Sequence, residues 1–179
     1  MKKIFLNILS ITLIFLCFNI DKALSQNIAV VDVDEILKNS LAMNNIESQM
    51  SKKESYFQKD IDKNKMILEK RASNIESKKA VMSESALKKE GQKIMQELNN
   101  LQKEAVKKQK LLKKGYVESL AKIDQKIKKI LDDISNEKNI DIILPSSALA
   151  SYKDHLDISA EVLKRLNKEL KTVKVNFER

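Results

Sequence analysis

Apolar residues recur every seven positions through most of the chain. Ile61, Leu68, Ile75 and Met82 form one row, with Met50, Phe57 and Ala72 near the intermediate positions. That is the spacing of a helix packed along a single seam against a partner helix. A second stretch mirrors the first: Leu87, Ile94 and Leu101 run beside Leu98, Ala105 and Leu112. After Gly115 the rows resume as Tyr116, Ile123, Ile130 and Leu120, Ile127, Ile134, displaced by one residue. Between the two stretches, "MSESALKKE" offers Ser83 or Ser85 as a helix N-cap. Folding the chain back at residues 82–85 sets Ile75 near Gln92, Leu68 near Leu98, Ile61 near Ala105 and Met50 near Tyr116, so seam meets seam. The pattern predicts an antiparallel helical hairpin with an arm over residues 44–134, ~70 Å long at 1.5 Å per residue. The phase slip at Gly115 predicts a bend or local loosening, because the seam is interrupted and Gly costs roughly 1 kcal/mol relative to Ala within a helix.

The pattern changes at both ends of this hairpin. Residues 28–33, "IAVVDV", are apolar on both parities, as in a short strand covered on two faces. Asp32 followed by Glu35 has the form of a capping box, so a helix is expected to start near Val33 and run without a breaker to about Met82. In "IDIILPSSALASYKDHLDISAEVLKRLN", Ile140, Ile142 and Leu144 alternate with Asp141 and Ile143, and Pro145 ends the strand. Residues 148–152 are expected to form another short strand. Asp157 caps an amphipathic helix carrying Ile158, Val162, Leu163, Leu166 and Leu170. "IDIIL" is expected to pair with "IAVVDV". The predicted fold is α+β: a long coiled-coil hairpin on a small β-rich body with a closing C-terminal helix. The body comprises residues 26–43 and 135–171, and residues 172–179 form a tail with no assigned structure. A body of roughly fifty residues buries too little surface to stand alone without metal, disulfide or partner. Ile28, Val30, Ile142 and Leu144 are therefore expected to belong to a body that assembles with copies of itself.

Composition agrees with long helices and few turns. The 179 residues include only 2 Gly and 1 Pro, no Trp, 4% aromatic and 33% charged residues. Lys2 and Lys3 precede an apolar run from Ile4 to Phe18, and Ala23, Leu24 and Ser25 complete a signal-peptidase site. Residues 1–25 are thus expected to be an export signal cleaved between Ser25 and Gln26. The run is short for a transmembrane span. Cleavage removes Cys17 and leaves no cysteine, which excludes a disulfide framework or a thiolate metal site. It also removes Lys2, Lys3, Lys22 and Asp21, lowering the formal charge from +9 to +7. Residues 44–134 hold 22 basic against 14 acidic residues, so the arm carries this charge.

Catalysis finds no foothold. There is no phosphate-cradling Gly-rich loop, and His155 stands alone, as befits a surface or capping residue. Asp32, Asp34 and Glu35 fit helix capping better than metal binding, since no His or further carboxylate is nearby. No cofactor is expected. A pI near 9.4 raises nucleic-acid binding as an alternative, opposed by the export signal and by the lack of aromatic interleaving or a reading motif. A secreted coiled-coil spacer or adaptor is the other alternative.

The order of signal, "IAVVDVDEIL", Lys-rich hairpin and final "IDIILPSSALASYKDHLDISAEVLKRLN" resembles the Skp/OmpH family of periplasmic chaperones. The most specific part is the last: an Ile-Asp before a short apolar strand, an Ala-rich connection with a Tyr, and an Asp-Ile-Ser helix start. Pro145 and the tail "TVKVNFER" depart from the family pattern. The resemblance implies a homotrimer with a β-rich central body and three helical arms around a cavity. It further implies an ATP-independent holdase for unfolded outer-membrane β-barrel proteins.

On that implication, three basic arms would attract acidic clients in a salt-dependent way. An unfolded barrel strand exposes apolar side chains at alternate positions. Off-seam apolar residues are therefore candidates for client contact: Met66, Met95 and Val106, with Ile67 and Val81 beside them; hairpin packing is the competing role for each. Lys78, Lys79, Lys88 and Lys89 flank the predicted turn and would place positive charge at the arm tip, suited to lipopolysaccharide or an anionic lipid surface. Lys107 and Lys108 belong to a second concentration along the arm. For a single lysine, keeping the helix soluble is the competing role.

Overall fold

A computed structural model describes residues 26–178 of the chain. The expected signal, residues 1–25 with Ser25, lies outside the described residues, and Gln26 is exposed. The chain opens with strand β1, Ile28–Val31. Helix α1, Val33–Asn39, begins where Asp32 accepts the Glu35 N–H at 2.9 Å. The Asp32 N–H donates to Ser159 Oγ at 2.7 Å, so a distant serine completes the cap where Glu35 was expected to.

The expected unbroken helix to Met82 is interrupted at Ser40. This residue is extended, φ −79° and ψ 141°, and it ends α1 while capping α2, Leu41–Lys78. Its hydroxyl accepts the Met43 N–H at 3.1 Å and donates to Leu37 O at 3.0 Å. The freed Leu41 N–H donates to Asn167 Oδ1 at 2.8 Å. Orphan groups at both helix ends are thereby satisfied, which lets a buried corner form.

A short 3-10 turn, Lys79–Val81, leads into α3, Glu84–Lys138, with Ser83 as N-cap accepting the Ala86 N–H. At 1.5 Å per residue α2 and α3 are about 57 Å and about 82 Å long. They run antiparallel, and Arg71 with Glu97 and Asp60 with Lys108 join them close to the expected register. The predicted bend at Gly115 does not occur as a break in helix bonding: α3 is continuous, and Gly115 is buried. Asn139 ends it in the left-handed conformation at φ 51°.

Strand β2, Ile142–Pro145, pairs in parallel with β1, placing Ile28 opposite Ile142 and Val30 opposite Leu144. The junction is fixed by Asn27, whose N–H donates to Asp141 Oδ2 at 2.8 Å and whose side chain donates to Asn139 O at 2.9 Å. Residues 148–152 do not form the expected strand. A 3-10 turn, Ser146–Ala148, precedes an irregular connection, and a second, Asp154–Leu156, carries an exposed His155. Side chains hold this segment instead: Ser146 Oγ donates to Asp32 Oδ2 at 2.9 Å, and Tyr152 OH donates to Asp157 Oδ2 at 3.1 Å. Asp157 also accepts the Ser159 N–H at 2.7 Å at the start of α4, Ser159–Glu169.

The core lies at the root of the hairpin. Ile36 and Ile46 meet Ile127 and Ile134 of α3 and Val162 and Leu166 of α4, all 2% exposed or less. The unassigned tail joins this core. Val173 and Val175 are each 4% exposed, and Phe177 packs partly beside them.

Candidate functional site

Burial falls steeply along the arm. Beyond residue 50, α2 buries only Phe57 and Leu68, and α3 buries nothing before Gly115. Two helices joined by one seam cover one stripe each, so apolar side chains off that stripe face solvent. Met95, Val106 and Val117 are 71%, 46% and 54% exposed. They recur at eleven-residue spacing, about three turns, and so share one side of α3.

Two adjoining grooves run along that side. One, of about 450 Å³, is floored by Ile61, Leu98 and Ala105 beside Met95 and rimmed by Lys65. The other, of about 500 Å³, sets Val106 among Lys103, Lys107 and Lys110. Asn99 and Gln102 line both, making one strip with an apolar floor, amides between and ammonium groups at the edge. Such a strip offers dispersion contact and hydrogen-bonding groups without shape demands.

The opposite groove differs in charge. Ile67 lies there among Asn64, Asn100 and Glu104, with Arg71 bound to both Glu97 oxygens at 2.9 and 2.8 Å. Closer to the tip, Lys93 binds Glu90 at 2.6 Å and holds its carboxyl below its ordinary value. Arg71 and Lys93 on this side are thus paired within the arm, whereas Lys78 at its tip end has no ion-pair partner among the described residues.

The residues singled out from sequence thus separate into groups. Met95, Val106 and Lys107 share the basic strip. Met66 is 54% exposed but stands about 200° around α2 from buried Leu68, on the side away from α3. Lys108 is set apart by its surroundings: its side chain is only 13% exposed, its ammonium binds Asp60 and Glu104, and it lies 5.5 Å from the Phe57 ring centroid. The Asp60 hydrogen bond, then Glu104, raises its pKa against the opposing effect of burial. Lys108 is therefore a tie between the helices. Lys78, Lys79, Lys88 and Lys89 surround the tip with Val81, 84% exposed, and Lys79 binds Glu76 at 3.3 Å. At the root, Ile28 and Ile142 are 38% and 39% exposed as register partners, Leu144 is half-buried, and Val30 is 1% exposed. Val30 faces the chain's own interior and has no surface to offer a partner.

Val117 escaped the sequence reading because it sits beside the phase slip, although its spacing from Met95 and Val106 was visible. Among the described residues no group of three His, Cys, Asp or Glu is placed to hold a metal ion. No described helix is long and apolar enough to cross a membrane.

Residues 27–166 match the family described as outer membrane protein (OmpH-like). The chain belongs to this family. A crystal structure from Caulobacter crescentus CB15, provisionally described as an outer membrane chaperone (OmpH-like), superposes with a TM-score of 0.81 at 16% identity, covering 86% of this chain and 91% of that one. At that identity the likeness establishes a common fold with long helical arms. No curated protein matches the chain.

Proposed function

We propose that the protein is an exported, ATP-independent holdase chaperone of the periplasm. It captures unfolded outer-membrane β-barrel proteins between basic helical arms and keeps them from aggregating before outer-membrane assembly. The observation that carries this reading is the strip containing Met95 and Val106: adaptable apolar side chains, exposed in line and edged by Lys103, Lys107 and Lys110. Family membership supports the chaperone role. The lysines raise the local concentration of acidic, unfolded chains, and the apolar floor holds alternate side chains of a barrel strand. Because each interaction is weak, a client that begins to fold withdraws from the strip piece by piece, and release needs no nucleotide.

Capture in a cavity requires several arms, so the body is a homotrimer in this proposal. Its support is the sheet. Asp157 bridges the far side of β1, while the outer edge of β2, "IILP", has no strand beside it among the described residues. An open apolar edge is a template for pairing with another chain. Ile28 and Ile142 continue that surface. At the far end, Val81 among four lysines suits brief contact with lipopolysaccharide or another anionic surface.

Mass measurement of the mature protein with and without an unfolded barrel protein tests this directly. The expected species start at Gln26, are trimeric, and take up one client while keeping it soluble. A monomer that leaves the client to aggregate would remove the proposal, and a stable complex with a folded partner would favour the adaptor.

A further inference from the structure

The tail, residues 172–178, lies across the root of the hairpin in a manner that a simple packing segment does not require. Its burial alternates with period two: Val173 and Val175 are inward, Phe177 is partly so, and Thr172, Lys174, Asn176 and Glu178 face out. This is the side-chain alternation of an extended strand. Yet among the described residues the tail pairs with no strand. Two side chains of α2 read its backbone instead. The Val173 N–H donates to Asn45 Oδ1 at 3.2 Å, the Val175 N–H donates to Gln49 Oε1 at 3.1 Å, and Gln49 Nε2 donates to Val173 O at 2.8 Å. Gln49 Nε2 also donates to Asn45 Oδ1 at 2.7 Å, which fixes the two amides as a unit. Lys122 of α3 reaches Lys174 O at 3.4 Å from the other wall.

The floor is cut to admit a main chain. A Cβ at Gly115 would stand 2.5 Å from Asn176 O and 2.9 Å from Val175 Cγ1, so only glycine leaves room. The Phe177 ring lies 5.6 Å from Lys53 Nζ at the far end. The tail's own side chains donate nothing to the channel and accept nothing from it among the described hydrogen bonds. What the channel recognises is therefore a backbone in extended form with apolar residues at every second position. Sequence scarcely enters.

We propose that this channel is a binding site for extended, alternately apolar polypeptide segments, and that the C-terminal tail is its resident occupant. The inference rests on the chaperone reading for its biological ligand, because unfolded β-barrel strands have that alternation. The tether explains how the site is regulated. The tail follows α4 directly, so its effective concentration at the channel is on the order of millimolar, and a free segment in solution competes poorly. A client already held by the arms is tethered too and competes on similar terms. The root of the arm thus opens only to a chain that the arm has captured.

Fluorescence anisotropy with labelled TVKVNFER tests the site without any client. The peptide is expected to bind a chain ending at Lys171 saturably, and the full chain at least tenfold more weakly. An unrelated peptide with apolar residues at the positions of Val173, Val175 and Phe177 binds the shortened chain as well, whereas one with Asp at those positions does not. No binding to a shortened chain of unchanged helix content overturns the proposal. So does a shortened chain that loses its helix content, since an occupant that leaves must leave the fold intact. In the full mature chain, a spin label at Lys174→Cys is expected to be immobile alone and to gain a mobile fraction when an unfolded barrel protein binds. A bound client with the label still immobile counts against displacement. Absence of client binding altogether sinks the holdase reading instead, and the peptide titration then decides the site.

Discussion

At Gly115 the contacts of the tail override helix propensity. Alanine stabilises a helix interior by roughly 1 kcal/mol over glycine. Its Cβ would collide here with the backbone at Asn176. Gly91 is the natural control, because nothing lies within 4 Å of a Cβ placed there. Gly91→Ala is expected to stabilise both the full chain and one ending at Lys171 by about 1 kcal/mol. Gly115→Ala is expected to destabilise the full chain by ~1–3 kcal/mol through overpacking and to stabilise the shortened one by about 1 kcal/mol, a reversal of sign. Urea denaturation of the four variants and their two parent chains measures it, and equal effects of Gly115→Ala in both backgrounds would show that the tail does not set this residue. In sequence, Gly115 read as a flaw in the seam. Its reason lay with residues 175 and 176, which no local pattern connects to it.

Elements were legible where their signals were local. The hairpin and its register follow from seven-residue rows, and the start of α1 from Asp32; both need only neighbours along the chain. The corner at Ser40 depends on Asn167 receiving the Leu41 N–H, an interaction supplied by the returning α4. Residues 148–152 pair with no strand among the described residues; Ser146, Tyr152 and Asp157 tie the segment through side chains instead. The basic strip was legible only in part: sequence marked Met95 and Val106 as off-seam and Lys107 as part of a lysine concentration, but not which of these residues share a side. That separation gives a test at the level of α3. Met95→Glu with Val106→Glu is expected to weaken retention of an unfolded barrel protein at least tenfold without lowering helix content. Met66→Glu, on the back of α2, is expected to change it less than twofold. Light scattering of the diluted client reads both, and equal losses from the two variants would move binding off the strip.

Two properties belong to the molecule as a whole. The arm carries its excess charge at exposed sites, where attraction weakens once separation exceeds the Debye length of about 8 Å at physiological ionic strength. Client capture is therefore expected to slow severalfold between 50 mM and 500 mM salt, with a smaller change in dissociation, as stopped-flow mixing would measure. If assembly runs through the sheet, Ile142→Asp is expected to convert the proposed trimer to monomer while leaving nearly all helix signal, because Ile142 is 39% exposed and lies in a strand outside the helices; a variant still trimeric by light scattering would place the interface elsewhere.

Acid acts at the opposite end from salt. Carboxylates held below their ordinary pKa flank the docked α4: Glu137 by Arg165, Glu161 by Lys138 and then Arg165, and Glu169 by Lys126. Distances of 2.6–2.8 Å join Arg165 to Glu137, and 2.7 Å joins both Arg165 to Glu161 and Lys126 to Glu169. Asp32 is lowered by the Glu35 N–H and Ser146, and Asp157 by Ser159 and Tyr152 in spite of burial, which opposes the shift. A carboxyl whose folded pKa is depressed binds fewer protons folded than unfolded, so its contribution is complete above the unfolded value and disappears as pH falls through the folded one. The ordinary values are 4.5 for the glutamates and 3.8 for the aspartates. Thermal stability is therefore expected to be flat with respect to these groups above about pH 5.5 and to fall progressively below about pH 4.5. Arg165→Met removes the partner of Glu137 and one partner of Glu161. It is expected to lower the melting temperature at pH 7 and to flatten the acid limb, so that wild type and variant converge near pH 3. Parallel acid limbs across pH 3–7 would show that the Arg165 cluster does not govern the docking of α4.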